Sequence, residues 1–375
     1  MKQRMKNMDK TIRIGIVGTG IIGKAHLETY SKMPGVELVA ACDINTPELN
    51  RVADRFKIPH KYVNFRELLK RKDIDAVDVC LHNNLHAPVT IAALEAGKDV
   101  YCEKPMAGAY IDAKRMLDTA RKCRRKLSIQ LNTLFAKETQ LARRFIETGK
   151  LGHIYHARSA GFRRRGRPYV DGYATKNFVQ KNIAGGGALY DMGVYHIAQV
   201  LFLLGLPKLE RISGRTFQET AMDPARRASS RYSVEELGLG LARFSGGIAM
   251  EIIESWAIHL DGFDSSYIVG SAGGLRLSPL SYHATTPEDL EINTTFETEA
   301  ILGRWHSLNA QQVYYDSSQS HWIGALRGAV DLLPSAETAL LTMLVSEGIY
   351  LSEKLRREVT ANEIASLSKS TAVKL

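Results

Sequence analysis

The chain has 375 residues, 45% of them hydrophobic and 24% charged, a length beyond what one core usually serves and a composition that excludes a mostly disordered protein. Its formal charge of +10 suits an anionic ligand or surface. The basic runs at 121–126 and at Arg163, Arg164, Arg165 and Arg167 nevertheless fall in no helix-turn-helix, zinc-finger or base-stacking pattern, so nucleic acid is not an expected partner.

The N-terminal stretch 1–10 is basic and polar, and the apolar run after it, 12–17, is too short for a signal-peptide core. No run approaches the roughly 20 apolar residues that span a bilayer, so no membrane is expected and the cytoplasm is the expected location. From residue 11 to about 132, short apolar runs alternate with amphipathic ones. The expected strands are 12–18, 36–43, 76–81, 99–103 and 127–132, with helices at 21–33, 47–56, 86–96 and 109–123. That alternation means βαβ units on a parallel sheet. The pattern changes after about 137. A helix at 138–148, a strand at 154–161 and a helix at 188–204 lead into strands at 211–217, 237–244, 248–256, 267–269 and 291–296. Ser245, Gly246 and Gly247 read as a hairpin turn, and the second sheet should be mostly antiparallel with helices on one face. Helical periodicity returns at 320–356, broken at Pro334. The domains expected are 1–134 for nucleotide and 135–375 for substrate and oligomerisation, with the helices from about 320 packing back toward the first. The cysteines, Cys42, Cys80, Cys102 and Cys123, form no CxxC pair or ligand cluster. No metal is expected, and free thiols suit a reducing compartment.

The strongest local signal is Gly18-Thr19-Gly20-Ile21-Ile22-Gly23, directly after a strand and opening a helix. Glycines there let the backbone approach a pyrophosphate, and the helix N-terminus offers unpaired N–H groups to it. Asp43 stands at the end of the second strand, about 20 residues beyond Gly23, where a carboxylate accepts from ribose hydroxyls. It favours NAD over NADP, which remains the other candidate cofactor. A helix-capping role is the alternative for Asp43.

Two further clusters carry chemistry. Glu103-Lys104-Pro105 ends the fourth strand at the carboxyl edge of the sheet, where a fixed lysine can donate to a substrate oxygen. Gly185-Gly186-Gly187 leads into a helix bearing Asp191, Tyr195 and His196. At about 100° per residue Asp191 and Tyr195 share a face, whereas His196 is rotated away, either packed in the core or at the margin of the site.

Together these features, with Asn83 and His86 after the third strand, resemble the Gfo/Idh/MocA oxidoreductase family. The resemblance implies an α/β fold: an N-terminal Rossmann domain with a doubly wound parallel sheet, then a C-terminal α/β domain with a large, mostly antiparallel open sheet. It implies NAD or NADP and a homodimer or homotetramer assembled through that sheet. Lys104, Asp191 and Tyr195, with His196 beside them, would be catalytic; Asn83, His86, Glu103 and Lys104 would lie near the nicotinamide, and the Lys104–Pro105 peptide would be cis. The family commonly has histidine where Tyr195 stands, and Thr-Pro where this chain has Leu81-His82, so His82 is expected to alter contacts at the cofactor.

The implied reaction is hydride transfer between nicotinamide and a hydroxyl-bearing carbon of a sugar or cyclitol. The Lys104 cation would favour an ionised Tyr195 as the base. Asn132, Arg163 and Arg167 are assigned to substrate, the arginines pointing to an anionic or polyhydroxylated one, with a solvated basic loop or a subunit contact as the alternative for each arginine. The competing readings are an NAD-dependent glycosidase that oxidises, eliminates and reduces again, and a cofactor-binding regulator. The latter should lack Lys104 or Asp191, and both are present.

Overall fold

The computed structural model describes residues 10–375. The basic stretch read at the N-terminus lies, apart from Lys10, outside the described residues. Six strands, β1 (Ile12–Val17), β2 (Val36–Cys42), β3 (His60–Tyr62), β4 (Ala76–Val79), β5 (Asp99–Cys102) and β6 (Leu127–Ile129), form a parallel sheet in the order β3-β2-β1-β4-β5-β6. Ile12, Ile14 and Ile16 of β1 and all four residues of β4 are buried, as strands covered by helices on both faces must be. Three residues make β3, too few for periodicity to reveal. The other strands end one to three residues earlier than their apolar runs. Asp43, Leu81 and Glu103 thereby fall just past the strand ends and stand at the carboxyl edge, where open α/β sheets bind ligands.

The second sheet has nine strands: β7 (Ile154–Phe162), β8 (Leu209–Phe217), β9 (Leu237–Phe244), β10 (Ile248–Ser255), β11 (Tyr267–Gly270), β12 (Gly274–Leu277), β13 (Leu280–Thr285), β14 (Glu291–Thr295) and β15 (Val359–Thr360). Their order is β14-β13-β12-β11-β7-β10-β9-β8-β15, antiparallel throughout except for the β7–β10 pair. Met250, Ile252 and Glu254 alternate inward along β10, and Met250 and Ile252 share a core with Ile197 and Ala198 of the helix Gly193–Leu203 and Val345 and Ile349 of the helix Ser335–Leu355. The opposite face leaves Tyr155 and Leu241 exposed.

The helix expected at 188–204 is two segments, Ala188–Asp191 and Gly193–Leu203. The break has a local cause. Tyr195 N–H turns back to the Met192 carbonyl, and the Asp191 carbonyl accepts instead from the Lys104 ammonium.

The helix Ser318–Leu326 packs on the first sheet. Trp322 is fully buried among Ile12, Ile14, Tyr30 and Tyr101, and Tyr101 Oη donates to Ser318 Oγ at 2.8 Å. Among the described residues no helix is long and apolar enough to cross a membrane. Replacing Trp322 with alanine should cost about 3–5 kcal/mol of unfolding free energy in urea titration. A loss below about 1 kcal/mol would mean that the helix docks loosely.

Candidate active site

The cofactor end is built by glycine. Gly18 has φ +101°, and a Cβ there would overlap the Cys80 carbonyl. A Cβ on Gly20, by contrast, would meet nothing within 4 Å, so space is open where the backbone must approach a ligand. The helix Ile21–Tyr30 begins at Gly20 with no side chain capping it, and Ile21 is 76% exposed. Its first N–H groups are thus left for an external acceptor, as a pyrophosphate requires. Asp43 Oδ2 accepts from Thr19 N at 2.8 Å and Thr19 Oγ1 at 3.0 Å, while Oδ1 accepts from Asn45 N at 2.9 Å. The carboxylate therefore braces the glycine turn and still keeps acceptor capacity for a ribose. The helix cap is Asn45, not Asp43. These residues fit an NAD.

Lys104 follows β5, and its bond to Pro105 is cis. Nζ donates to the Asp191 carboxylate Oδ1 and to the Asp191 carbonyl, both at 2.9 Å, and lies 4.8 Å from the centroid of the Tyr195 ring. The side chains of Lys104 and Asp191 are only 14% and 18% exposed. Burial opposes the lysine charge, but the Asp191 carboxylate outweighs it and holds the ammonium above its ordinary pKa. Burial likewise opposes the Asp191 charge, and Lys104, then Arg163 and the Trp256 N–H, hold the carboxyl below its usual range. Both groups stay ionised. Tyr195 departs from expectation: burial lifts its hydroxyl above the ordinary tyrosine value, and the Lys104 cation offsets that only in part. The lysine sits over the ring rather than making the tyrosine a ready base.

Other assigned residues divide between the cleft and its supports. His86 is fully buried with Nδ1 2.8 Å from the Pro105 carbonyl and Nε2 3.0 Å from the Leu81 carbonyl, and burial lowers its pKa. It braces the lysine turn instead of reaching the cofactor. Glu103 is buried too, accepting from Lys104 N at 3.0 Å and lying 2.9 Å from His26 Nε2, a pair too poorly aligned for a hydrogen bond. Asn83 Nδ2 donates to the Ala184 carbonyl, tying the start of its helix to the glycine-rich segment. The His82 ring lies 3.1 Å from Asn177 Nδ2. The assignment of Arg167 to substrate is corrected. Its side chain is inaccessible, bound to Asp171 and Glu236 and to the Thr220 and Ala221 carbonyls. An arginine whose five donors meet protein acceptors has none for a ligand. Arg163 does reach the site, donating to Tyr173 Oη at 2.6 Å and lying 3.6 Å from Asp191 Oδ2.

Asn132, Arg163, Tyr195 and His196 line one cleft of about 710 Å³, with Phe162 and Phe263 on its wall. Its size suits a small ligand. Sequence reasoning missed Trp256, whose Nε1 donates to Asp191 Oδ2 at 3.1 Å, and Glu254, 3.0 Å from His196 Nδ1. Both alternate inward at the end of β10, and a carboxylate in an inward register is the signal that would have found them. It also missed the buried cluster of His26, from the helix Ile21–Tyr30, with Asp78 and Cys80 at the end of β4, whose ligating atoms lie within 4.8 Å of one another. His26 Nδ1 is 2.9 Å from Asp78 Oδ2 and 3.3 Å from Cys80 Sγ, so these groups satisfy one another.

A Rossmann sheet with a glycine turn, a buried lysine–aspartate pair at its carboxyl edge and an open second sheet define a two-domain dinucleotide-dependent oxidoreductase. Residues 12–131 match the model for the oxidoreductase family with an NAD-binding Rossmann fold, and residues 139–276 match the GFO/IDH/MocA C-terminal domain. The chain is 30% identical to a D-glucoside 3-dehydrogenase of Escherichia coli (strain K12), over 91% of its own length and 95% of the relative's. It is 31% identical to a levoglucosan dehydrogenase of Pseudarthrobacter phenanthrenivorans, over 52% of each chain. A structure of a levoglucosan dehydrogenase with NADH and levoglucosan superposes with TM-score 0.76 at 20% identity, covering 94% of this chain and 100% of that one. The chain belongs to the Gfo/Idh/MocA family of NAD-binding oxidoreductases.

Two substitutions separate the arginines. Arg167→Ala should lower unfolding free energy by about 3–5 kcal/mol, because it strands buried carboxylates, while Arg163→Ala should leave the urea midpoint nearly unchanged. Equal effects would contradict the division. Asp43→Ser should narrow the preference for NAD over NADP by removing repulsion of a 2′-phosphate; an unchanged ratio of kcat/KM values would leave Asp43 only its bracing role.

Proposed function

We propose that this protein is an NAD-dependent dehydrogenase of a sugar, cyclitol or sugar derivative, oxidising one ring hydroxyl to a ketone and, in reverse, reducing it. The observation that carries the reading is Lys104, held charged by Asp191 at the carboxyl edge beside the cleft. When bound, NAD supplies the acceptor for hydride from the carbinol carbon. The chain's own residues do the rest. The Lys104 ammonium donates to the reacting oxygen and stabilises the negative charge that builds there, and Asp191 keeps that ammonium charged and aimed. Asn132 offers an amide to neighbouring hydroxyls. Arg163, 39% exposed at the side chain and bonded through Nη1 to Tyr173, has further donors that meet either hydroxyls or an acidic group on the substrate.

The sugar dehydrogenases among the relatives support the substrate class, and the paired presence of Lys104 and Asp191 supports catalysis over cofactor sensing. The exposed face carrying Tyr155 and Leu241 supports assembly of copies through the open sheet, as a dimer or tetramer. The cytoplasm is the proposed location.

Incubating the protein with NAD and a panel of glycosides, aldoses, cyclitols and uronic acids should give net NADH with at least one of them. Glycoside cleavage without net NADH would favour the transient-oxidation glycosidase instead. With the preferred substrate, Lys104→Ala should lower kcat by about 10²–10³-fold, the loss typical of one preorganised donor, while NAD affinity changes little. Retained kcat would remove Lys104 from the mechanism.

A further inference from the structure

His196 and Glu254 are joined by a built contact. Glu254, on β10, is fully inaccessible; its Oε2 lies 3.0 Å from His196 Nδ1, and its Oε1 accepts from Ser159 Oγ at 2.9 Å. Room for the pair comes from two glycines. A Cβ on Gly161 of β7 would overlap both Glu254 Oε2 and His196 Nδ1, and one on Gly193 would come 2.9 Å from Glu254 Cγ. Because an ionised carboxylate can only accept, Nδ1 carries the proton, which leaves Nε2 as the titrating atom. His196 lines the cleft and is 29% exposed while Glu254 is 0% exposed, so the accessible edge of the ring is the one away from Nδ1. Among the described residues no protein group hydrogen-bonds Nε2.

We propose that Glu254 is a positioning residue that makes His196, rather than Tyr195, the proton-transfer group of the cleft. The inference rests on the dehydrogenase reading above. In the oxidation direction the substrate O–H bond breaks and its proton passes to Nε2, as the C–H electron pair leaves with hydride to the nicotinamide and the carbonyl forms. In reduction Nε2–H returns the proton to the oxygen. Electrostatics favour this assignment: burial works against the imidazolium, yet Glu254 outweighs it and holds the histidine above its ordinary value, whereas burial pushes the tyrosine away from the neutral range. The charged and titratable groups around His196 are Glu254 from β10, Arg163 beyond the end of β7, which opposes the imidazolium charge, and Tyr195 on its own helix, with Glu138 and Asp264 at the cleft rim. Of these groups among the described residues, Glu254 is the one within hydrogen-bond distance of the ring.

The sign of the pH effect follows. Oxidation needs the neutral imidazole, so its rate rises with pH through the His196 pKa. Removing the negative charge in Glu254→Gln should move that rise, and the fall of the reductive rate, to lower pH. The test pairs two readouts on the full-length protein. NMR of side-chain-labelled histidine, with His196→Asn used to assign the resonance, should show the His196 midpoint moving to lower pH in Glu254→Gln; an unmoved midpoint overturns the coupling whether or not a substrate is known, and the spectra also report whether the variant is folded. In the kinetic readout, His196→Asn should lower kcat by about 10²-fold or more and abolish the limb that Glu254→Gln displaces. A NMR shift with an unmoved kinetic limb, or a larger loss in Tyr195→Phe than in His196→Asn, overturns the proton-transfer role. Failure of every substrate to yield NADH would refute the dehydrogenase reading while the NMR result still decides the coupling.

Discussion

An ammonium removed from bulk water needs a counter-charge, because desolvation alone drives a buried lysine toward its neutral form. Here Asp191 supplies it, 2.9 Å from Lys104 Nζ through both its carboxylate and its carbonyl. The carbonyl contact draws on helical structure: the ladder is interrupted at Met192 so that the Asp191 oxygen can face the lysine. Trp256 donates to the other carboxylate oxygen and the Arg163 cation lies 3.6 Å from it, so the aspartate is held as an ionised carboxylate and cannot itself act as an acid. The role left to it is to keep Lys104 charged.

The pair also joins the two halves of the molecule. Lys104 comes from the end of a Rossmann strand, and Asp191 from the helix against the second sheet, so neither half holds the site alone. His86 fastens the lysine turn from one side, and Glu103, facing His26, from the other. The helix Ser318–Leu326 presses Trp322 into the first sheet, and Ser335, at the start of the long C-terminal helix, accepts from Ile129 N at 3.1 Å. Rigid elements thus set the distance that the chemistry needs.

Much of this was legible in the sequence because it is written in local periodicity. Alternating apolar runs predicted the Rossmann strands, and the Gly18–Gly23 turn with Asp43 predicted the nucleotide end, since glycine positions and strand ends are local features. Lys104 and Asp191 were found through resemblance and strand position, though nothing in their spacing shows that they meet. What escaped depends on long-range packing. Arg167 and Arg163 are four residues apart and chemically identical, yet one meets Asp171 and Glu236 in the interior and the other reaches the cleft. Helix-face reasoning placed His196 away from Asp191 and could not see that Glu254 waits on the facing sheet. Short strands such as β3 and β12 escaped because, unlike the equally short β4 and β6, they do not sit in a longer apolar run: β3 reads His60-Lys61-Tyr62 and β12 Gly274-Leu275-Arg276-Leu277.

The central claim is that Asp191 keeps Lys104 charged where burial would otherwise neutralise it. Its most direct measurement is the ionisation of Lys104 itself, followed by NMR of side-chain-labelled lysine in the parent protein and in Asp191→Asn. In the parent the Lys104 ammonium should persist to higher pH than the exposed lysines, and in the variant, with desolvation unopposed by that carboxylate, it should lose its proton at lower pH than in the parent. Identical Lys104 titrations in the two proteins would contradict the account.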